Sequence, residues 1–139
     1  MVTEEEFFAQ GRTGTTIVSS ALDLTAQIIK DELLGRTNIY VAQISDGDNE
    51  DTDNGTCREI MEDDIMPFVQ YFAYVQIDDY HTDPAQALSP SGISTWGKGL
   101  WDAYKIVAES FKNFQMKRVH QDADIFPVFK ELFKKRERK

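Results

Sequence analysis

The chain has 139 residues, 41% hydrophobic and 28% charged, which fits one domain, 1–139, around a single core and leaves no room for two of full size. Fifteen Lys and Arg against 24 Asp and Glu give a formal net charge of -9, the wrong sign for a protein that grips nucleic-acid phosphates. The run Ile65 to Ile77 is too short to span a bilayer, no basic and apolar leader opens the chain, and the lone Cys57 can form neither an internal disulfide nor a multi-thiolate metal site. A cytoplasmic protein without a membrane partner is therefore expected.

In chain order, Ile17, Ala21, Leu24 and Ile28, flanked by Val18, Leu22 and Ile29, recur at three- and four-residue intervals and predict a helix up to about Leu34. Thr16 or Thr15 stands where an N-cap hydroxyl belongs, and Gly35 is the stop. Asn38 to Ser45 is short, apolar and partly β-branched, and the turn pair Asp46-Gly47 follows it, which predicts a buried strand. Thr56 and Glu59 have capping-box spacing ahead of Ile60, Met61 and Ile65, predicting a short helix closed by Pro67. Phe68 to Ile77 reads as a second strand and residues 78–99 as a long loop. Helical spacing returns at Leu100, Tyr104, Val107, Ala108 and Phe111. Phe114 to Val119 is a third strand, and Asp124 is placed as the cap of a last helix with Ile125, Val128, Phe129, Leu132 and Phe133 on one face and Pro127 in its first turn.

Helices and strands thus alternate with no hairpin signal, the pattern of crossover units in an α/β fold: a parallel sheet of about three strands with helices on both faces. Three strands make a thin sheet, so the strand at 38–45 should present an open edge through which the chain forms a homodimer.

The acidity is concentrated: Asp46 to Asp64 holds nine carboxylates against Arg58, whereas residues 130–139 carry six basic and two acidic groups. The basic tail suits the last turn of a helix, where cations favour the negative end of the dipole. In an open parallel sheet all strands deliver their carboxyl ends to one rim, where ligands bind. That rim should receive Ser45, Asp46, Asp48 and Asn49 from the first strand, Asp78, Asp79 and His81 from the second, and His120 and Asp122 from the third. Hard oxygen donors of this kind suit Mg²⁺ or Ca²⁺.

Other chemistries find less in the chain. An EF-hand register with Gly55 at loop position six puts Met61 where the bidentate Glu belongs. Ser19, Ser20 and Ser45 lack a nucleophile elbow, and Cys57 sits amid carboxylates that raise its pKa and blunt it. Gly11-Arg12-Thr13-Gly14 lacks the Lys of a phosphate loop. Trp96 and Trp101 read as packing residues.

The runs Thr13 to Leu22, Asn38-Ile39-Tyr40, Ser45-Asp46-Gly47-Asp48-Asn49 and Asp124 to Phe133, with Glu6-Phe7-Phe8 near the start, resemble the YeaH/YhbH family of uncharacterised bacterial proteins. The resemblance implies the C-terminal part of a longer protein, similar to the back half of a von Willebrand factor A domain without its N-terminal strands. Such domains hold a metal-ion-dependent adhesion site built on Asp-x-Ser-x-Ser, a Thr and an Asp. By resemblance Thr16 matches the Thr and Asp46 the Asp, with Asp48 a further ligand, while no Asp-x-Ser-x-Ser occurs in these residues. Two matched ligands imply weak Mg²⁺ or Ca²⁺ binding at most, since a hard divalent ion takes about six oxygens.

The expected function is a non-enzymatic protein-interaction module whose partner-facing residues are Ser45, Asp46, Asp48, Asn49 and Asp78. The resemblance implies a PrkA-type serine kinase as partner, in stress response or sporulation. The alternative is a Mg²⁺-dependent hydrolase with Asp46 and Asp48 as ligands and His81 or His120 as acid or base.

Overall fold

The computed structural model describes residues 16–77 and 98–134. Residues 78–97, with Asp78, Asp79, His81, Trp96 and most of the expected 78–99 loop, lie outside the described residues, as do residues 1–15 and the end of the basic tail. Three strands, β1 (Tyr40–Ser45), β2 (Tyr71–Ile77) and β3 (Phe114–Val119), form one sheet in the order β1-β2-β3, and both pairings are parallel. Ser45 lies beside Gln76, and Gln76 beside Arg118, so the strands end level on one rim. The α/β architecture expected from the alternation is the one found.

Among the described residues four α-helices flank the sheet: α1 (Val18–Ile28), α2 (Asn54–Ile60), α3 (Lys98–Ser110) and α4 (Asp122–Leu132). They divide unequally. Phe72 and Tyr74 of β2 face a core shared with Val18, Leu22, Ala26 and Ile29 of the first helix, Cys57 and Met61 of the second, and Leu100, Tyr104 and Val107 of the third. Ala73, Val75 and Val119 face the other way, onto Leu132 and Val128 of α4. Both crossovers lie on the first face, the consequence of two right-handed parallel connections running in the same direction across the sheet. Tyr104 anchors that core. Its ring meets Tyr74 edge-on at 4.8 Å and Phe114 at 5.8 Å, and its hydroxyl donates to Gln43 Oε1 at 2.9 Å, so a buried phenol is satisfied rather than stranded.

Several local expectations are corrected. The first helix starts after Ile17, with no side-chain cap from Thr16, while Thr15 lies outside the described residues; its buried stripe is Val18, Leu22, Ala26 and Ile29, and Ile17, Leu24 and Ile28 are exposed. One wider π turn, Ile29–Leu33, extends it, and Gly35 at φ 74 ends the segment as expected. Thr56 and Glu59 form no capping box: a 3-10 turn, Asp51–Asp53, leads into α2 at Asn54, leaving Thr56 inside the helix. The box lies instead at the last helix, where Gln121 is the N-cap and Asp124, the third helical residue, its partner, accepting from the backbone of Gln121. With the start moved to Asp122, Pro127 falls in the second turn, where its ring nitrogen removes one helical hydrogen bond. On α4 only Leu132 is buried, and Ile125, Phe126 and Phe133 are exposed.

Candidate functional site

The site expected from sequence is the rim at the carboxyl end of β1. Gly47 makes it possible: at φ 81 the chain turns back over the sheet so closely that a Cβ there would lie 2.6 Å from Gln76 Cδ, a conformation and an approach that favour glycine. Two short-range hydrogen bonds hold the turn. Ser45 Oγ accepts from Gly47 N at 3.0 Å, and Asp46 Oδ1 accepts from Asp48 N at 2.9 Å, the local competition with regular structure at which Ser and Asp are favoured.

Beyond the turn, the loop reaches the start of the first helix and supplies its caps from a distance. Asn49 Oδ1 accepts from Val18 N and Asp53 Oδ2 from Ser19 N, both at 2.9 Å, while Glu50 N donates to Thr16 O at 3.1 Å. Thr16 needs no capping role because these two side chains already satisfy the first amides of the helix. Asn49 Nδ2 also donates to Asn54 Oδ1 at 2.9 Å, and Cys57 Sγ donates to Asp53 Oδ2 at 3.2 Å. Burial alone would raise the Asp53 pKa; hydrogen bonds from the Ser19 side chain and backbone, from Cys57 and from Asn49 outweigh it and hold the carboxyl below its usual 3.8. The same contact works against the thiol. Burial first, then the hydrogen bond and negative charge of Asp53, push Cys57 from 9.0 up to about 12, so it is no nucleophile at neutral pH.

With those groups occupied, the rim keeps a smaller set of outward oxygens. Thr16 Oγ1 donates to Asp48 Oδ2 at 3.5 Å, a long contact, and the exposed Asp46 stands two residues before Asp48. The structure therefore brings Thr16 and Asp48 together beside Asp46, turns Asn49 inward to the helix cap, and uses Ser45 in the turn. No group of three or more His, Cys, Asp and Glu side chains fit to hold a metal occurs among the described residues. Two or three oxygens fall short of the about six a hard divalent ion takes, so these residues alone do not fit a resident ion.

Farther along the rim the character changes. Gln76 is buried and accepts from Tyr74 Oη at 3.1 Å, and on β3 the guanidinium carbon of Arg118 lies 4.1 Å from the centre of the Trp101 ring, a cation stacked on an aromatic face. The rim thus runs from the acidic loop after the first strand to a stacked guanidinium on the third, beyond which Asp122 and Asp124 open α4. His120 follows the third strand, and with β2 intervening it sits two strand spacings, roughly 10 Å, from the Asp46 end of the rim. Nothing in this arrangement supports the hydrolase alternative. Sequence reasoning missed the Asn49 and Asp53 caps, which act across 31 and 34 residues and leave no local spacing signal, and it missed the Arg118 and Trp101 stack for the same reason.

A family described as "Protein of unknown function (DUF444)" matches residues 1–136. The chain belongs to that family. It is the uncharacterised family also known as YeaH/YhbH, as the resemblance implied. The chain is similar to the UPF0229 protein of Legionella pneumophila (strain Corby), 43% identical over 136 residues, covering 97% of this chain and 29% of the relative. It is 44% identical over 137 residues to the UPF0229 protein of Ectopseudomonas mendocina (strain ymp), covering 97% of this chain and 29% of that protein. The UPF0229 protein VV2350 of Vibrio vulnificus (strain YJ016) is 42% identical over 135 residues, 96% of this chain and 28% of the relative. The chain spans less than a third of these relatives. No solved structure matches it. No described helix is long and apolar enough to cross a membrane.

Proposed function

We propose that the chain is a non-enzymatic protein-interaction module, part of a von Willebrand factor A-like domain, whose partner-facing surface is the acidic rim of Thr16, Asp46 and Asp48, the outward members of an expected set that also held Ser45, Asn49 and Asp78. The observation that carries the reading is the convergence of Thr16 and Asp48, 32 residues apart, at 3.5 Å beside the exposed Asp46. These are oxygen donors left outward after the neighbouring polar groups are bound into the turn and the helix caps. A carboxylate from a partner would complete the oxygen shell that the rim lacks, so any Mg²⁺ or Ca²⁺ is held weakly by the chain alone and shared in a complex. The absence of an activated thiol in the described core, with Cys57 at about 12, weighs toward binding over nucleophilic chemistry. The family resemblance supplies the partner class, a PrkA-type serine kinase in stress response or sporulation.

The test is capture of the purified kinase by the 139-residue chain with Mg²⁺ and with chelator. Thr16→Ala and Asp48→Ala are expected to lower capture at least tenfold while leaving the unfolding free energy within about 0.5 kcal/mol, since both side chains lie at the surface. Equal capture by wild type and variants, or none by wild type, sinks the proposal. So does Mg²⁺-dependent turnover of phosphate or acyl esters that disappears in Asp46→Ala.

A further inference from the structure

We propose that Asn49 and Asp53 are positioning residues of the rim, a role that rests on the rim reading above: by gripping the first amides of α1 they hold Thr16, on the helix side, against Asp48, on the strand side. The two outward groups come from separate segments. Asp48 belongs to the turn after β1, and the bonds of that turn, from Gly47 N to Ser45 Oγ and from Asp48 N to Asp46 Oδ1, fix it relative to the sheet. Thr16 precedes α1, which sits on the core through Val18, Leu22, Ala26 and Ile29. Apolar burial is non-directional, so that stripe alone leaves the end of the helix free to shift against the turn. The direct contact of the pair, from Thr16 Oγ1 to Asp48 Oδ2 at 3.5 Å, is exposed and too long to hold them.

The bonds that do hold them lie one or two residues away. Val18 N donates to Asn49 Oδ1 and Ser19 N to Asp53 Oδ2, both at 2.9 Å, and Glu50 N donates to Thr16 O at 3.1 Å. Asn49 directly follows Asp48, and Val18 lies two residues after Thr16, so planar peptide units carry the placement of these bonds to the rim with little slack. A carboxylate at the start of a helix also favours the positive end of the dipole. The clamp is itself anchored. Asn49 Nδ2 donates to Asn54 Oδ1 at 2.9 Å and to Cys57 Sγ at 3.6 Å, and Cys57 Sγ donates to Asp53 Oδ2 at 3.2 Å. Cys57 is buried in the core, and Asn54 packs so closely beneath the first turn of α3 that a Cβ on Gly99 would collide with its Nδ2. The thiol, inert as a nucleophile, thus ties together the two side chains of the clamp. Groups that a partner need not touch set the spacing of the oxygens it meets.

The test uses the 139-residue chain carrying Thr16→Cys and Asp48→Cys, equilibrated in glutathione buffers, so that disulfide formation reads how closely the two positions are held in the folded state. Cys57 is buried and does not compete. In this pair Asn49→Ala and Asp53→Ala are each expected to lower the effective concentration of one thiol at the other about fivefold, the equilibrium worth of one cap. Asp53→Asn, which keeps an acceptor for Ser19 N, should restore most of it. Tyr71→Phe, which loses the bonds to Gln115 and Leu132 on the α4 face, should leave it unchanged, separating lost placement from lost stability. A pair that stays reduced, an equilibrium indifferent to Asn49→Ala, or an equal fall in Tyr71→Phe overturns the proposal. Kinase capture distinguishes it from the rim reading: no capture by wild type sinks that reading while the thiol equilibrium still decides the clamp, and undiminished capture by Asn49→Ala overturns the positioning role.

Discussion

Gly35 and Gly47 form a matched pair in which backbone strain can be separated from steric approach. Both have positive φ, 74 and 81, but a Cβ added at Gly35 meets nothing within 4 Å, whereas at Gly47 it meets Gln76 Cδ and Oε1 at 2.6 Å and Nε2 at 2.9 Å. Gly35→Ala should therefore cost only the left-handed backbone strain, about 1–2 kcal/mol, partly offset by about 0.4–1 from a stiffer unfolded chain. Gly47→Ala adds displacement of the Gln76 amide. An amide at the end of a flexible side chain would move freely at the surface, but this one is 1% exposed and holds the Tyr74 hydroxyl. Breaking buried hydrogen bonds costs about 1–3 kcal/mol more, for a total of about 2–4. With a urea slope of about 1–3 kcal/mol/M, the two variants should differ in midpoint by roughly 1 M. In a Gln76→Ala background the added cost of Gly47→Ala should fall to that of Gly35→Ala. Equal midpoints for the two single variants, or no relief in that background, would refute the close approach of the turn to the sheet as the reason for glycine.

Asp53→Ala and Asn49→Ala should each lower stability by about 1 kcal/mol through loss of a cap on the first helix, and less than additively when combined because both side chains contact Cys57. The Asp53 effect should also depend on pH. A carboxyl held below its usual 3.8 stabilises the fold above that pH and loses the contribution as pH falls through its folded value, so urea midpoints of wild type and Asp53→Ala should converge in acid and stay separated at pH 7; a gap unchanged below pH 3 would contradict the assignment. Native Cys57 should react with a thiol reagent at pH 8 only as fast as the chain unfolds, since burial and Asp53 push it to about 12; rapid labelling without denaturant would show that the thiol is neither buried nor suppressed. Tyr104→Phe should cost about 1 kcal/mol for the hydrogen bond to Gln43, and Tyr104→Ala about 3–5 for the cavity between α3 and the sheet, both measurable by thermal or urea unfolding.

Which parts of this molecule could be read from residues alone follows from the range of the forces involved. Alternating helical and strand periodicity predicts the element order and the parallel α/β sheet, because side-chain spacing within a segment decides which period can bury its apolar groups. Phe114 to Val119 is read to its ends, and Gly35 as a stop, because each is a local matter. The acidic rim near Asp46 follows from parallelism without further geometry. Tertiary structure alone decided which groups on that rim face outward. Asn49 is turned into a helix cap by a helix that begins 31 residues earlier, Thr16 loses the capping role because that amide is already taken, and Asp53 silences Cys57. It also decided that, among the described residues, three helices crowd one face of the sheet and one lies on the other, with Tyr40 and Ile44 exposed. Periodicity reports that a stripe is apolar, but only the packing of distant segments determines what, if anything, covers it.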